Sequence, residues 1–218
     1  MSVFTRALFA LIFGAGLLLD AAGCDSTDDE NPALLRVVHA TPGLDAIDFY
    51  IDFELFTRNL FFRVASPYLR WDPGLRRLEA RAAGNPNALV TQDVILHEDI
   101  IYTVLVTVTS DAPSLLVLQD DRSMPPAGQA RVRVVHVAPN FGMLNVTVRQ
   151  ERSPPTFDLF LAFGASSTYL SIDPGAYDIE ARATDGSGGP ATLTQDIETG
   201  LRYLIVVTNT TVFTVADG

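Results

Sequence analysis

Lysine is absent from this chain, and cysteine and tryptophan occur once each. One thiol cannot close an intrachain disulfide, so export to an oxidising compartment brings no covalent staple. All 15 basic residues are arginine, against 26 acidic residues, for a net charge of −11. The lack of lysine reads as a GC-rich coding sequence rather than a mechanism. The acidic balance excludes nucleic acid and polyanionic lipid surfaces as partners, because phosphate backbones are held by basic patches. No G-x-x-x-x-G-K-[ST] cradle, G-x-S-x-G elbow or EF-hand spacing occurs, and "GASS" at Gly164–Ser167 lacks the closing glycine. No segment after the leader sustains a helical period.

The leader "MSVFTRALFALIFGAGLLLD" carries one positive charge at Arg6 and an apolar run from Ala7 to Leu19. That run is shorter than the roughly 18 residues a membrane-spanning helix needs, and it has the layout of a secretory signal. Ala21, Ala22 and Gly23 then precede Cys24, and here the sequence resembles a bacterial lipoprotein signal. The resemblance implies that residues 1–23 are a signal peptide and that Cys24 is lipidated. The alternative is an ordinary secretory leader cut after Gly23, which would leave a secreted protein. Residues 24–32 read as an acidic linker that lifts a folded body off the membrane.

A duplication organises the remainder. "LRVVHATPG" from Leu35 returns as "VRVVHVAPN" from Val132, and "YLRWDPGLRRLEARAAG" from Tyr68 returns as "YLSIDPGAYDIEARATDG" from Tyr169. "TQD" at Thr91 returns at Thr194, and "YTVLVT" at Tyr102 returns as "YLIVVT" at Tyr203. The period of about 100 residues suits tandem domains rather than a solenoid. Short Val-, Ile-, Leu- and Phe-rich runs punctuated by Pro, Gly, Asn and Asp predict β-sandwiches. In "YTVLVTV" the alternation predicts one buried face of Tyr102, Val104, Val106 and Val108, with Thr103 and Thr107 opposite. The repeated Asp-Pro-Gly turns at Asp72 and Asp173 fit a type II turn, with positive φ at Gly74 and Gly175.

The "RVVHATP" and "RVVHVAP" strands, the "DPG" turns and the "YTV"-type strand resemble the DUF4397 family over nearly all of the mature chain. The resemblance implies exported, Ig-like or transthyretin-like domains in tandem, and it transfers no catalytic residue. The expected fold is all-β, with two tandem antiparallel β-sandwich domains at 33–128 and 129–218.

Candidate residues mostly favour structural roles. His39 and His136 recur on apolar strand faces, where an imidazole packs and donates one hydrogen bond to a carbonyl. His97 has no counterpart, so the three histidines make no zinc spacing. Asp45, Asp48, Asp52 and Glu54 read as a solvated strand edge rather than a calcium site. Glu79–Arg81 and Glu180–Arg182, two apart, read as surface ion pairs, and the repeated Arg36 and Arg133 likewise. Trp71 is the one candidate ligand-binding residue, because an exposed indole can stack on a sugar. Its counterpart Ile172 favours capping of the core instead.

No catalytic residue, metal or cofactor is expected. The expected function is a non-enzymatic binding or structural module of the bacterial cell envelope. It is held to a membrane by its lipid and faces the periplasm or the cell exterior, with an envelope protein or polysaccharide as partner. The alternatives are an auxiliary carbohydrate-binding protein and a hydrolase with an unrecognised site.

Overall fold

The structure, a computed structural model, describes residues 31–218 apart from 110, 111, 122, 151, 152, 189 and 190. The signal peptide, Cys24 and nearly all of the acidic linker lie outside the described residues. Every regular element within them is a strand. The first eight are β1 (Ala33–His39), β2 (Ala46–Ile51), β3 (Glu54–Phe61), β4 (Leu69–Trp71), β5 (Gly74–Ala82), β6 (Ala88–Leu96), β7 (Ile101–Val108) and β8 (Pro113–Asp120). The second eight are β9 (Ala130–His136), β10 (Met143–Gln150), β11 (Phe157–Ala162), β12 (Leu170–Ile172), β13 (Gly175–Ala183), β14 (Ala191–Ile197), β15 (Arg202–Val207) and β16 (Val212–Asp217).

Each set of eight folds into a sandwich of two four-stranded sheets. The inner sheets have the orders β4-β1-β7-β8 and β12-β9-β15-β16, and the outer sheets β3-β2-β5-β6 and β11-β10-β13-β14. All pairings are antiparallel except β1 with β7 and β9 with β15, which run parallel. A parallel pair needs a long crossover rather than a hairpin. Here the outer-sheet strands themselves supply that connection. Inward residues alternate along the strands as a half-buried sheet requires. Leu35 and Val37 of β1 meet Ile47, Phe49 and Ile51 of β2, Leu78 and Ala80 of β5, and Val104 and Val106 of β7. Val132, Val134, Val146, Ile179 and Ile205 do the same in the second sandwich.

The two sandwiches meet through their inner sheets. Val38, Ala40, Leu105 and Leu118 of the first join Val135, Val137, Leu204, Val206, Phe213 and Val215 of the second in one buried apolar cluster. The molecule is therefore a stack of four sheets whose central two are covered on both faces. This changes the expectation for β7. Thr103 and Thr107 are 0% and 3% exposed rather than solvent-facing, because the second sandwich covers them.

Strands β4 and β12, β5 and β13, and β7 and β15 begin at one common offset, and β1 and β9, and β2 and β10, at a slightly shorter one. The "TQD" match follows neither offset. Leu78 faces Gln92 while its equivalent Ile179 faces Leu193, so the second triplet lies two residues further along its strand. At the Asp-Pro-Gly turns Gly74 and Gly175 take φ of 115° and 146°, as the sequence predicts, and a Cβ at Gly175 would meet Gln150 Nε2 at 3.0 Å.

Because the seam is a buried core in its own right, the described chain is expected to unfold in urea as one transition. Leu105→Ala, which opens the seam cluster, should lower the unfolding free energy by about 2–5 kcal/mol while preserving that single transition. Two separable transitions in the native chain would mean that the sandwiches are not coupled.

Candidate functional site

Polar groups converge at the seam. Arg36 shares the β1 face that carries Val38, and it points away from its own core toward the other sandwich. Its Nη1 donates to Asp217 Oδ1 of β16 at 3.1 Å, and its Nε to Thr103 Oγ1 at 2.8 Å. The equivalent Arg133 of β9 donates Nη1 to Asp120 Oδ1 of β8 at 3.3 Å and to the Gln119 carbonyl at 2.8 Å. Each sandwich thus gives an arginine to the other's aspartate, a reciprocal exchange with the logic of a two-fold interface. The expectation of surface ion pairs fails here, since the Arg36 side chain is 2% exposed and Asp120 4%. A buried pair of this kind needs every partner in place, because a lone buried charge is strongly unfavourable.

Further groups complete the network. Asp217 Oδ2 pairs with Arg202 at 3.0 Å, and Asp120 Oδ2 accepts from Tyr68 Oη at 2.9 Å and from Thr103 Oγ1. Tyr68 lies under the Arg36 guanidinium at 4.6 Å, and Tyr169 lies 5.7 Å from that of Arg133 and 5.1 Å from that of Arg131. Burial, the largest cause, pushes the Tyr169 phenol up to about 12 and raises that of Tyr68 as well. Arg131 pairs with Asp121 at 2.7 Å. The Asp121 carboxyl is held down to about 2, first by the Ser123 hydroxyl and backbone N–H and then by Arg131.

Two clefts open along this seam, one for each copy. Arg36, Arg63, Ala65, Ser66, Tyr68 and Asp217 line a cleft of about 440 Å³. Arg131, Arg133, Ser166, Ser167 and Tyr169 line its counterpart of about 370 Å³. Ala65 and Ser166 are equivalent, as their bridges to Val38 and Val135 show. In the second cleft Arg133 Nη2 donates to Ser166 Oγ at 2.7 Å. In the first, Arg36 Nη2 is the one buried side-chain nitrogen or oxygen without a partner among the described residues.

The other candidates separate by location. Both recurring histidines are fully buried loop clamps. His39 Nε2 donates to the Leu44 carbonyl at 2.9 Å and Nδ1 accepts from Thr41 N at 3.2 Å; His136 holds the Phe141 carbonyl and Ala138 N in the same way. Trp71 is partly buried against the first core, tilted toward Phe56 at 6.0 Å, and one side borders a shallow cleft with Glu54, Arg70, Asp72 and Arg76. Asp48 departs from the solvated reading. It is 5% exposed, and its carboxylate accepts from Asn59 N at 2.8 Å and Gly84 N at 3.1 Å, pinning a bulge in β3 and the β5–β6 turn. Asp52 anchors Arg76 and the Arg77 backbone at the β2–β3 turn.

Glu79–Arg81 and Glu180–Arg182 are ion pairs within one strand, but the expected surface location fails for the first, since Glu79 is buried. Ser166 and Ser167 serve Arg133 and Val134 N rather than a nucleophile's role. No group of three or more His, Cys, Asp or Glu among the described residues is arranged to hold a metal ion. The seam is what sequence reasoning missed. Its signal was available: Asp120 and Asp217 recur at the same spacing that separates Arg36 from Arg133.

Asp217→Ala should destabilise the chain by about 3–5 kcal/mol, because it strands Arg36 in the interior; urea denaturation reads this directly. The histidines set a pH dependence. Burial, the larger cause, lowers both imidazole pKa values below 6.5, against a smaller upward pull from the carbonyl each donates to. The unfolded chain then holds more protons just below pH 6.5, so their contribution is full above 6.5 and is lost as the pH falls toward the lowered folded values. The slope is at most about 1.4 kcal/mol per pH unit for each histidine. The double variant His39→Asn/His136→Asn should show a shallower fall in stability between about pH 7 and pH 5 than the native chain.

Comparison with known proteins adds a family. No curated protein matches. Among solved structures, the Bacillus anthracis TIE protein is similar at 8% identity and a TM-score of 0.30, over 85% of this chain. This chain spans only 34% of that one. CBMbc, a family CBM26 module from Eubacterium rectale Amy13K solved in complex with maltoheptaose, is similar at 12% identity and a TM-score of 0.26, over 84% of this chain and 96% of that one. At these scores neither likeness carries functional weight. A family model matches residues 33–147, the whole first sandwich and the start of the second, and the chain belongs to the DUF4397 family, a domain of unknown function.

Proposed function

We propose that this protein is a non-enzymatic binding or structural module of the bacterial cell envelope. Both sandwiches are DUF4397 copies, and lipidated Cys24 and the acidic linker tether them to a membrane. The observation that carries this reading is the seam. By locking two sandwiches face to face it consumes the inner sheets, and it leaves the outer sheet faces and loop ends as the surfaces for a partner. The two recurring histidines are committed to structure, since both ring nitrogens of each are engaged by backbone.

The outer face of the first sandwich supports a contact role. Leu75 and Ile95 stand directly opposite one another on β5 and β6, 67% and 58% exposed. Phe53, also exposed, has the guanidinium of Arg77 on β5 6.0 Å from its ring. The equivalent positions in the second sandwich are Ala176 and Asp196. Adjacent exposed apolar side chains on a strand face suit the apolar core of a protein contact. Half-buried Trp71 is better placed to cap the core than to stack on a sugar.

Intact mass and membrane fractionation of the native chain and Cys24→Ala test the anchor. The expected result is a lipid mass increment and membrane association, both lost in the variant; a soluble chain cut after Gly23 with no added lipid would sink the tether. For the contact surface, in-cell cross-linking should give a defined adduct that disappears in Leu75→Glu/Ile95→Glu and persists in Trp71→Ala.

A further inference from the structure

The two seam clefts are built from equivalent positions, and they differ in ways that point in one direction. At the position of Ser166, whose hydroxyl takes the Arg133 Nη2 proton, the first copy has Ala65. At the position of Gly164 it has Arg63, and the backbone N–H of each donates to its histidine carbonyl at 2.9 Å. Arg63 keeps the left-handed backbone of that glycine, with φ of 69° against 78°. A non-glycine residue in that conformation is strained, and such strain is retained where a side chain has work to do. The Arg63 head lies 5.9 Å from the Phe213 ring and has no ion-pair partner among the described residues.

Each cleft is lined by two arginines, but the first has one hydrogen-bond acceptor fewer, and its Arg63 lacks the ion pair that Asp121 gives Arg131 in the second. Arg36 turns its Nε to Thr103, whose counterpart is Leu204, and is left with Nη2 unpartnered in a 2% exposed side chain. A buried charged donor without an acceptor is costly, and an anion repairs it. Asp217 lines the same cleft, but both its oxygens are already engaged, by Arg36 and Arg202. Around the seam five arginines (36, 63, 131, 133 and 202) stand against three aspartates (120, 121 and 217). That is a positive spot on a chain of net charge −11.

We propose that the first seam cleft is an oxyanion site, in which Arg36 Nη2 and the Arg63 guanidinium hold a carboxylate, sulfate or phosphate group. The inference is independent of the lipid anchor and of the outer-face contact. Arg36 supplies the buried, unpartnered donor, and Arg63, an exposed residue lining the same cleft, supplies the second cation. At about 440 Å³ the cleft has room for the acidic group of a larger molecule as well as for a free inorganic anion.

The test is a titration of the isotopically labelled full chain with sodium sulfate, sodium phosphate and sodium glucuronate, at constant ionic strength with chloride as reference. The readouts are the Arg36 side-chain and the 63–68 backbone resonances. Saturable shifts confined to the first cleft are expected. A stronger response to glucuronate assigns the site to a sugar acid, and a stronger response to sulfate or phosphate assigns it to an inorganic or ester anion. Arg63→Ala and Ala65→Ser should each weaken binding roughly tenfold or more. Ala65→Ser offers Arg36 the hydroxyl that Arg133 already has, so its melting temperature should equal or exceed that of the native chain, which separates lost binding from lost fold. Shifts no larger than those with chloride, or an affinity unchanged in either variant, would overturn the two-arginine site.

Discussion

The reciprocal exchange of Arg36 to Asp217 and Arg133 to Asp120 is the constraint on which the rest of the molecule depends. Apolar burial at the seam is non-directional; Val38, Leu105, Val135 and Val206 would tolerate several rotations of one sandwich on the other. Buried ion pairs tolerate few, because each guanidinium stripped of water must find its carboxylate in one geometry. The apolar cluster holds the sandwiches together, and the ion pairs select the angle. The same arrangement explains why residues as polar as Thr103 and Arg36 lie in the interior of an all-β stack, and why, among the described residues, the sheet faces left to solvent belong to the outer sheets.

Much of the fold was legible in the sequence because it is local. Period-two alternation, turn punctuation and the repeated Asp-Pro-Gly motifs specify strands and sandwiches through contacts that a short window contains. The histidine role was legible for the same reason, since His39 bonds the Leu44 carbonyl only a few residues away, although its second bond, from Thr41 N, was not foreseen. The parallel β1–β7 pairing and the seam were not legible, because they depend on partners a whole domain away. Arginine is almost never fully buried unless paired. Nothing local to "LRVVH" names Asp217 as that pair. Asp48 misled in the same way: its neighbours in sequence are strand residues, while the N–H groups it serves, at Asn59 and Gly84, come from a bulge and a turn.

Duplication makes the two halves an internal comparison, and the pattern of agreement is informative. The reciprocal ion pairs, the tyrosines beside them and the loop clamps are the same in both copies: Arg36 and Arg133, Asp120 and Asp217, Tyr68 and Tyr169, His39 and His136, whereas Thr103 of the same network is matched by Leu204. The arginines and aspartates are bound into a network in which a change in one sandwich strands a buried partner in the other. Positions that line the cleft mouths and the outer faces differ: Ala65 and Ser166, Arg63 and Gly164, Leu75 and Ala176, Ile95 and Asp196.

That division follows from energetics rather than from chance. A self-complementary interface forces equivalent residues to remain complementary to one another, so the copies cannot diverge there without cost to both. No such coupling reaches the outer sheets, where substitutions in one copy leave the other intact. A two-sandwich body therefore has a shared structural centre and independent working surfaces. The first copy, with its unpartnered Arg36 nitrogen, its strained Arg63 and its exposed Leu75–Ile95 pair, concentrates the features that the common architecture does not require.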